Sequence, residues 1–525
     1  MIASLWHLSR LSRAGFVFAR EGALATVDAS RMPFPARAAL ALARLIERPA
    51  SSGGNRVAAA LTRLGPTYVK LGQFLATRPD VVGVALAQDL ETLQDKMQPF
   101  PQREAERAIE ISLGKPLREV FVSFGPAIAA ASIAQVHRAE MASNGSRRPV
   151  AVKVLRPGIE RRFNAEIGAF AAVARQAERF SAEAQRLRLV EVVDTLRRTV
   201  ALEMDLRFEG AALSEMAENT KNDPDFRVPA VDWDRTARDV LTLEWIDAIA
   251  LSDRARIEAK GLDLKQLARA VVQTFLRHAL RDGFFHADMH PGNLFVDEAG
   301  ELVAVDFGIM GRLGPKERRF LAEILYGFIT RNYYRTAEVH FEAGYVPPHH
   351  SVASFAQAIR AIGEPIHNRT AEEISMARLF MLLFEITGLF DMRTRPELLL
   401  LQKTMVVVEG VARSLDPKLD IWAAAEPVVR EWIERHLGPL GSLETAAEGM
   451  TEIGQVFGRL PALLTRAAAL TAQLDLITRN GLVLAPETAA EIGRAEARRN
   501  RGSTVALWVI VGLLAWLVVL LLNSM

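Results

Sequence analysis

The sequence predicts an α+β fold, in which a small mixed lobe is followed by a large helical lobe. Three observations predict it. Short β-rich segments, separated by Gly, Pro and Ser-Asn-Gly turns, occur within residues 118–155 at Val120-Phe121, Ile133–His137 and Val150–Leu155, and another follows at residues 240–245. Helical patterns fill most of residues 1–117 and residues 315–480. A charge-free apolar run of 19 residues, 504–522, lies close to the C-terminus.

These patterns divide the chain into five segments. We expect an N-terminal helical segment at 1–54 and a helical extension at 55–117, separated by the Ser-Ser-Gly-Gly-Asn linker that ends at Asn55. A small lobe with a helical insert follows at 118–250, then a helical lobe at 251–480 and a terminal helix at 504–522.

Composition excludes several classes of function. The chain has 525 residues, and 64 Lys and Arg against 62 Asp and Glu give a formal net charge of +2. This balance gives no electrostatic footprint for nucleic acid, which we therefore exclude as a partner. The absence of cysteine excludes disulfides, thiolate metal sites and cysteine nucleophiles.

The apolar run at 504–522 predicts a transmembrane helix. Its 19 residues span roughly 28 Å as a helix, close to the thickness of a hydrocarbon core. Arg494, Arg498, Arg499 and Arg501 precede it. By the positive-inside rule they remain in the cytoplasm, which places the bulk of the chain on the cytoplasmic side of the membrane.

The N-terminus does not resemble a secretory signal. Arg10, Arg13 and Arg20 interrupt every apolar stretch there, whereas a signal peptide needs an unbroken apolar core. An ordinary surface helix and a basic amphipathic helix lying on a membrane both remain open.

The densest chemical signal lies at residues 286–308. It contains His286-Ala287-Asp288 with Asn293 five residues after Asp288, a short predicted hairpin, and then Asp306-Phe307-Gly308. Phosphoryl transfer needs a carboxylate that orients the nucleophile and oxygen ligands that hold Mg²⁺ against the phosphates. This pattern predicts a protein-kinase-like two-lobe fold with Asp288 as the catalytic residue and Asn293 and Asp306 as metal ligands.

Lys153 fits the phosphate-binding lysine of such a fold, because it ends the strand-like run Val150-Ala151-Val152. A buried lysine needs an acidic partner. Glu203 and Glu209 are the candidates, although both could also lie on a solvated helix face.

The usual glycine-rich loop is missing, since no Gly-x-Gly occurs in the chain. Ala129, Ala130, Ala131 and Ser132 stand where the nucleotide loop belongs. Alanine carries a Cβ, so this turn cannot approach phosphate as closely as glycine would. The nearest Ala-Pro-Glu after Asp306 is at residues 485–487, too far along the chain to close a kinase activation segment, which argues against free phosphorylation of protein substrates.

Together these motifs resemble the UbiB/ADCK family of atypical kinase-like proteins, in particular its bacterial UbiB branch. Lys70-Leu71-Gly72-Gln73 resembles the family's Lys-x-Gly-Gln motif, residues 129–132 its alanine-rich loop, and Glu203-Met204-Asp205 its Glu-x-Asp motif. The resemblance covers roughly residues 55–420. Two departures are Ala134, where the family usually has Gly, and one predicted membrane span where relatives often have two.

The resemblance implies a membrane-anchored ATPase that supports ubiquinone biosynthesis and binds ATP or ADP with Mg²⁺. It implies that Glu209 pairs with Lys153, and that backbone groups near Glu244 and Ile246 hold the adenine. It also implies regulatory roles for Lys70, Gln73, Glu203 and Asp205, with the helix of Lys70 lying across the place where a protein substrate would dock. Isoprenoid quinone precursors and other ubiquinone-biosynthesis proteins are the partners it suggests.

Other functions remain open beside this one. The His-x-Asp-x4-Asn form also occurs in phosphotransferases acting on small molecules, and a lipid substrate is equally conceivable. A scaffold that uses nucleotide only as a switch for the polyprenylphenol hydroxylation steps is another hypothesis. Direct hydroxylase chemistry has no flavin fingerprint or metal triad behind it. His286 and His290 are interpreted as loop residues rather than zinc ligands, and His349-His350 as an exposed turn.

Overall fold

The computed structural model describes residues 2–23, 41, 46–48, 55–76, 78–91, 93, 97–143, 145–180, 182–366, 386, 388–392 and 396–437. Residues 1–435 form one compact unit, and residues 436–525 form a second, of which only 436–437 are described. The predicted membrane helix at 504–522 lies outside the described residues. Within the described ranges, no helix combines the length and the apolar character needed to cross a membrane.

The N-terminal region is mostly helical where the structure describes it. Its helices are α1 Ile2–Arg20, α2 Arg56–Leu64, α3 Pro66–Ala76, α4 Pro79–Val82 and α5 Val84–Glu91. Asn55 caps α2 by accepting hydrogen bonds from two backbone N–H groups. Gly65, at φ +110°, ends α2, and Pro66 begins α3. Leu61, Leu64, Tyr68 and Leu90 form the core of this extension.

The small lobe begins with two helices and three strands. They are α6 Gln102–Leu113, α7 Leu117–Val120, β1 Ser123–Ala130, β2 Ala134–Ser143 and β3 Ser146–Leu155. The expectation of a strand at Val120-Phe121 was wrong, because Val120 ends α7. Val150, Val152 and Val154 point to one face of β3 and pack with Ile109 of α6 in a buried cluster.

A helical insert and three strands follow. They are α8 Ile159–Phe180, α9 Ala182–Leu187, α10 Leu189–Glu203, α11 Leu206–Thr220, β4 Phe226–Arg227, β5 Val240–Glu244 and β6 Ile249–Ala250. β5 joins the small-lobe sheet, whose antiparallel order is β1-β2-β3-β5. The insert connects β3 to the rest of the chain and brings α11 against β5.

The large lobe is mostly helical. Its elements are α12 Arg254–Ala259, α13 Leu264–Arg277, β7 Phe284–His286, β8 Leu294–Val296, β9 Leu302–Ala304, β10 Met310–Arg312, α14 Pro315–Ile329, α15 Tyr333–Glu342, α16 Val352–Ile366, α17 Pro396–Leu415 and α18 Ile421–Leu437. β8 and β9 form the predicted hairpin and lie in a sheet of order β4-β9-β8-β6, while β7 pairs with β10. The helix that begins at Leu264 is α-helical to Arg277 and ends in a π-helical turn at His278–Asp282.

Candidate nucleotide and phosphoryl-transfer site

The loop between β7 and β8 carries Asp288 and Asn293. Pairing of β7 with β10 places His286 opposite Met310, and the Ala287 N–H donates to the Ile309 carbonyl at 3.0 Å. The segment after Asp306 is thereby held alongside the start of the loop. Two sequence motifs that are 18 residues apart in the chain, from Asp288 to Asp306, thus meet at one edge of the large lobe.

His286 braces this loop from beneath. Its Nδ1 accepts the Asp288 N–H at 3.0 Å, and its Nε2 lies 3.3 Å from the Val305 carbonyl. The side chain is buried and contacts the ring of Phe307 edge-on at a centroid distance of 4.9 Å. Burial lowers the pKa of His286, which fits a neutral ring donating from Nε2. Its bonds fit the loop residue predicted from sequence rather than a zinc ligand.

Asn293 lies against Asp288. Its Nδ2 donates to the Asp288 backbone carbonyl at 3.1 Å and approaches the Asp288 carboxylate at 3.4 Å. Because the amide N–H₂ is engaged in this way, the amide oxygen is the atom suited to a cation. The Val305 N–H donates to the Asn293 carbonyl at 2.9 Å, and this bond fixes Asn293 beside the residue that precedes Asp306.

Asp306 adopts a left-handed backbone conformation with φ +63°. Such a conformation is rare outside glycine and costs free energy, so it is typical of functional positions. Half of its side chain is exposed to solvent, whereas Phe307 next to it is fully buried. A carboxylate and an amide oxygen are the ligands that Mg²⁺ prefers, so Asp306 and Asn293 fit the metal that this motif predicts.

Lys153 on β3 joins the two lobes through paired charges. Its Nζ lies 2.8 Å from Glu209 Oε1 on α11 and 3.0 Å from Asp306 Oδ1. Burial by itself would lower the pKa of Lys153, but the two carboxylates outweigh it and raise that pKa well above its usual value. The lysine is therefore a permanent cation at neutral pH.

The pKa values of the two carboxylates that contact Lys153 shift in opposite directions. Lys153 holds the pKa of Asp306 well below its usual range, so Asp306 is ionised and able to bind a cation at neutral pH. Burial raises the pKa of Glu209, although the neighbouring ammonium of Lys153 opposes this rise. At 2.8 Å from a permanent cation, Glu209 gains more from its charge than a carboxylate buried alone would.

The structure separates the two acidic candidates that the sequence offered for Lys153. Glu209 pairs with Lys153, whereas Glu203, the last residue of α10, pairs with Lys70 of α3 at 2.7 Å. Both side chains of the Lys70–Glu203 pair are about nine-tenths buried. After Lys153 and His286, Lys70 is a further positive charge that helps to lower the pKa of Asp306.

Gly72 and Gln73 complete the motif on α3. A Cβ on Gly72 would collide with the side chains of Leu61 and Leu93, so the glycine permits close packing within the extension. Gln73 is half-buried on the same helix, three residues after Lys70. Asp205 has a structural task, because its carboxylate caps α11 and accepts bonds from Arg207.

Only part of the predicted alanine-rich loop is a turn: Ala129 and Ala130 end strand β1, and Ala131 and Ser132 lie in the turn before β2. Ala129 and Ala130 pair with Val136 and Gln135 across the two strands, and the Ala131 N–H donates to the Ala134 carbonyl at 2.8 Å. Ser132 is completely buried in this turn. The Ala131 N–H is thus already used within the turn, which limits how many backbone donors the loop can offer to phosphate.

A short strap, residues 97–100, runs behind this loop. The Met97 N–H donates to the Ala130 carbonyl at 3.0 Å, and Arg156 Nη2 donates to the Gln98 carbonyl at 3.1 Å. The buried Gln135 side chain accepts the Phe100 N–H at 2.9 Å and donates to the Phe100 carbonyl at 3.3 Å. The helical extension is therefore connected directly to the nucleotide loop.

Glu244 and Ile246, predicted to hold adenine, lie at the end of β5 and just beyond it. The Glu244 N–H donates to the Ala230 carbonyl at 2.8 Å, and its carboxylate faces Arg227 at 3.4 Å. Any backbone contact from Glu244 to a nucleotide would therefore use its carbonyl oxygen. Ile246 is half-buried.

Sequence analysis missed three supporting residues. Thr404 on α17 donates to the Ala287 carbonyl at 3.1 Å and thereby holds the loop that carries Asp288 against α17. Gln135 and Arg156 hold the strap. A single polar residue in an apolar helix or strand is weak evidence for a supporting role. Of the three, only Gln135, in a strand just after a turn, could have been predicted to make buried hydrogen bonds.

Comparison with known proteins supports the same assignment. The ABC1 atypical kinase-like domain matches residues 92–340, and the UbiB helical domain matches residues 359–420. The chain is 40% identical to "Probable protein kinase UbiB" of Marinobacter nauticus over 446 residues, which are 84% of this chain and 81% of that protein. The protein of the same description from Xanthomonas euvesicatoria is 40% identical over 444 residues, 83% of this chain and 77% of that one.

The chain belongs to the UbiB family. The resemblance inferred from the motifs is thus confirmed, and so is the kinase-like α+β fold. A solved structure from Mycobacterium tuberculosis, the complex of Rv3197 with erythromycin, is similar with a TM-score of 0.50 and 26% identity, covering 68% of this chain and 90% of that one. Membership of the UbiB family implies a role in ubiquinone biosynthesis and a kinase-like, phosphoryl-transfer type of enzyme.

Proposed function

We propose that this UbiB protein is a membrane-anchored ATPase whose Mg²⁺-nucleotide cycle supports ubiquinone biosynthesis. The observation that carries the proposal is the charge arrangement around Lys153. The Nζ atom of Lys153 lies 2.8 Å from Glu209 of α11 and 3.0 Å from Asp306 of the large lobe. This arrangement is suited to bringing a nucleotide's phosphates and a metal together between the lobes.

The residues divide the work by their chemistry. Lys153 supplies a permanent positive charge for the phosphates, and Glu209 keeps that lysine in place. Asp306 and Asn293 would hold Mg²⁺, which neutralises charge that develops on the transferred phosphoryl group. Asp288, about one-third exposed and hydrogen-bonded through Asn293, is placed to orient the attacking water or hydroxyl and to take its proton.

The Lys70–Glu203 pair argues for ATP hydrolysis over phosphorylation of proteins. This buried pair fixes α3 close to Asp306, where a protein substrate would otherwise need room. Water needs no such room. The alanine-rich loop supports the same preference, because its Ala131 N–H is bonded within the turn.

The test is to compare Asp306→Asn with Asp288→Asn in purified protein. We expect Asp306→Asn to abolish Mg²⁺-dependent nucleotide binding, because a metal-binding carboxylate is lost. Asp288→Asn should spare binding and lower ATP turnover by at least about a hundredfold, the usual contribution of a positioned general base. Equal loss of binding in both variants would contradict this division of roles.

A phosphotransferase acting on a small molecule or lipid is the second candidate. The partial exposure of Asp288 favours it, since about one-third of that side chain faces solvent. The turnover measurement separates the two candidates. Phosphate release that is unchanged by membrane lipids and quinone precursors supports hydrolysis, whereas transfer of labelled phosphate to either of them supports the phosphotransferase.

The membrane, isoprenoid quinone precursors and other ubiquinone-biosynthesis proteins complete the proposal as partners. The charge-free segment at 504–522 and the arginines before it support anchoring in the inner membrane. An anchored site is useful for this pathway, because the polyprenylated intermediates partition into the bilayer.

A further inference from the structure

A cluster of His349, His350 and Asp391 lies in the helical lobe, in a part of the chain that the proposed phosphoryl-transfer site does not use. His349 and His350 belong to the loop between α15 and α16. Asp391 belongs to a separate described stretch, residues 388–392. The three side chains each offer one ligand atom, and these atoms all lie within 4.8 Å of one another. Two chain segments about 40 residues apart thus converge with two imidazoles and one carboxylate.

The two distances from Asp391 to the histidines are close to those between ligands of a tetrahedral zinc ion. Asp391 Oδ2 lies 3.2 Å from His350 Nε2 and 3.6 Å from His349 Nε2. In a tetrahedral site with metal–ligand bonds of ~2.0–2.1 Å, neighbouring ligand atoms are roughly 3.3 Å apart. An ion could therefore enter between these atoms with only small side-chain rotations.

The cluster is pre-organised by its surroundings. Pro347 and Pro348 precede the histidines, and the His350 N–H donates to the Pro347 carbonyl at 3.2 Å, which closes a turn. The His350 ring lies 5.3 Å from the ring of Phe390, which itself packs on Phe355 at 4.9 Å in a buried cluster.

The backbone and the charges point the same way. Asp391 is held at φ +48°, a left-handed conformation that costs free energy for a non-glycine residue. The two imidazole rings lie 4.2 Å apart, close enough for both to bind one ion. A divalent cation uses both rings in their neutral form and satisfies the carboxylate at the same time.

We infer that His349, His350 and Asp391 form a site for a zinc-class divalent transition metal. Two imidazoles and one carboxylate leave a fourth position for water, and His349 and Asp391, about two-thirds exposed, give solvent access to it. The ion would join the α15–α16 loop to the segment at residues 388–392. This site is independent of the proposed ATPase function, because it uses none of the residues assigned to phosphoryl transfer.

The test is zinc binding by the full-length protein in detergent, with any affinity tag removed and excess Mg²⁺ present to occupy sites that prefer oxygen ligands. We expect one Zn²⁺ per chain. His350→Gln and Asp391→Asn should each weaken the affinity at least about tenfold, because each removes a ligand. The matched control is His436→Gln, which changes an exposed histidine outside the cluster. This variant should bind Zn²⁺ like the wild type.

Two further readouts distinguish a metal site from an ordinary His–Asp contact. Co²⁺ in place of Zn²⁺ should give the visible absorption of a four-coordinate N/O site, and this absorption should vanish in His349→Gln/His350→Gln. Zinc should also raise the melting temperature of the wild type and of His436→Gln, but not that of Asp391→Asn, whose exposed side chain can change without unfolding the protein. Absence of stoichiometric binding, or binding unaffected by all three cluster substitutions, would overturn the inference.

Discussion

The site depends on Lys153, because its side chain joins strand β3 to Glu209 of α11 and to Asp306 of the large lobe. Its two carboxylate partners play different parts. Glu209 is 8% exposed and fixes the lysine from the buried side, whereas Asp306 meets it from the solvent side and remains able to bind a cation.

A substitution at Glu209 tests this arrangement. In Glu209→Gln the lysine keeps only Asp306 as a charged partner and competes with the metal for it. We expect Mg²⁺-ATP affinity to fall at least about tenfold, a loss comparable to that of one charge-assisted hydrogen bond. Glu215→Gln, on the exposed face of the same helix and paired with Arg312, is the control. Nucleotide affinity measured by calorimetry should be unchanged in that control, and equal loss in both variants would contradict the role of Glu209.

Glu409 gives a pH-dependent prediction at the same scale. Burial in α17 raises its pKa to about 7, although Arg413 at 3.7 Å partly opposes the rise. Below the unfolded pKa of ~4.3 the carboxyl group is protonated in both states, and its titration does not change the free energy of unfolding. As the pH rises towards the folded pKa, only the unfolded state ionises readily, and the free energy of unfolding falls. The loss is on the order of 3 kcal/mol above pH 7.

Glu409→Gln should remove that pH dependence. The variant and the wild type should melt at similar temperatures near pH 5, and the variant should melt higher at pH 8. Thermal unfolding at the two pH values, with Glu431→Gln on the exposed face of α18 as control, measures the difference. A wild-type stability that rises between pH 5 and 7 relative to Glu409→Gln would refute the assignment.

The alanine-rich turn and the strap behind it form the main feature at the scale of elements. Ala130 carries a carbonyl that accepts the Met97 N–H, and Ala131 uses its own N–H within the turn. Glycine would give the turn access to positive φ and remove the Cβ, so that further N–H groups could reach the phosphates.

Ala130→Gly should therefore tighten ATP binding relative to ADP, while function in the pathway should fall. We expect a shift of about fivefold, which corresponds to the ~1 kcal/mol scale of such backbone effects. Ala131→Gly is the matched control, because its N–H remains bonded to Ala134, and Ala129→Gly tests the remaining position. Affinities for ATP and ADP are measured side by side. An unchanged ATP/ADP preference in all three variants would show that this turn does not set nucleotide selectivity.

The strap makes a separate prediction. Gln135→Met keeps the volume of a buried side chain but removes both bonds to Phe100. Because two buried backbone groups lose their partner, we expect a destabilisation of about 2 kcal/mol. Hydrogen exchange should quicken at residues 97–100 before it does in β3. Unchanged exchange of the strap in this variant would mean that Gln135 does not hold it.

How far the sequence predicts the structure differs between the site and its surroundings. The motifs place Asp288, Asn293, Asp306 and Lys153 correctly near one another, because their chemistry and strand spacing are local. The residue pattern alone left Glu203 and Glu209 open as partners of Lys153, since both lie near the α10–α11 junction. The family resemblance implied Glu209, and the structure pairs Glu209 with Lys153. Val120 was misassigned for a related reason: a β-branched residue beside Phe121 suggests a strand, but tertiary contacts favour a helical turn.

At the scale of the whole molecule, the proposed function needs the membrane anchor as well as the nucleotide site. Truncation after residue 500 removes the charge-free segment and should release the protein from membranes into the soluble fraction. The control is a truncation within the last three residues, which leaves the segment intact. If the shortened protein stays fully with the membrane, the attachment lies elsewhere, and residues 1–45 are the next segment to test.

The quinone content of a deletion strain tests the central claim most directly. The strain is complemented with the wild type, with Asp306→Asn, or with Glu215→Gln as the control, at matched protein levels. The account predicts that the wild type and the control restore ubiquinone, whereas Asp306→Asn does not. Restoration of normal ubiquinone by Asp306→Asn would contradict the claim that the pathway needs the metal–nucleotide site.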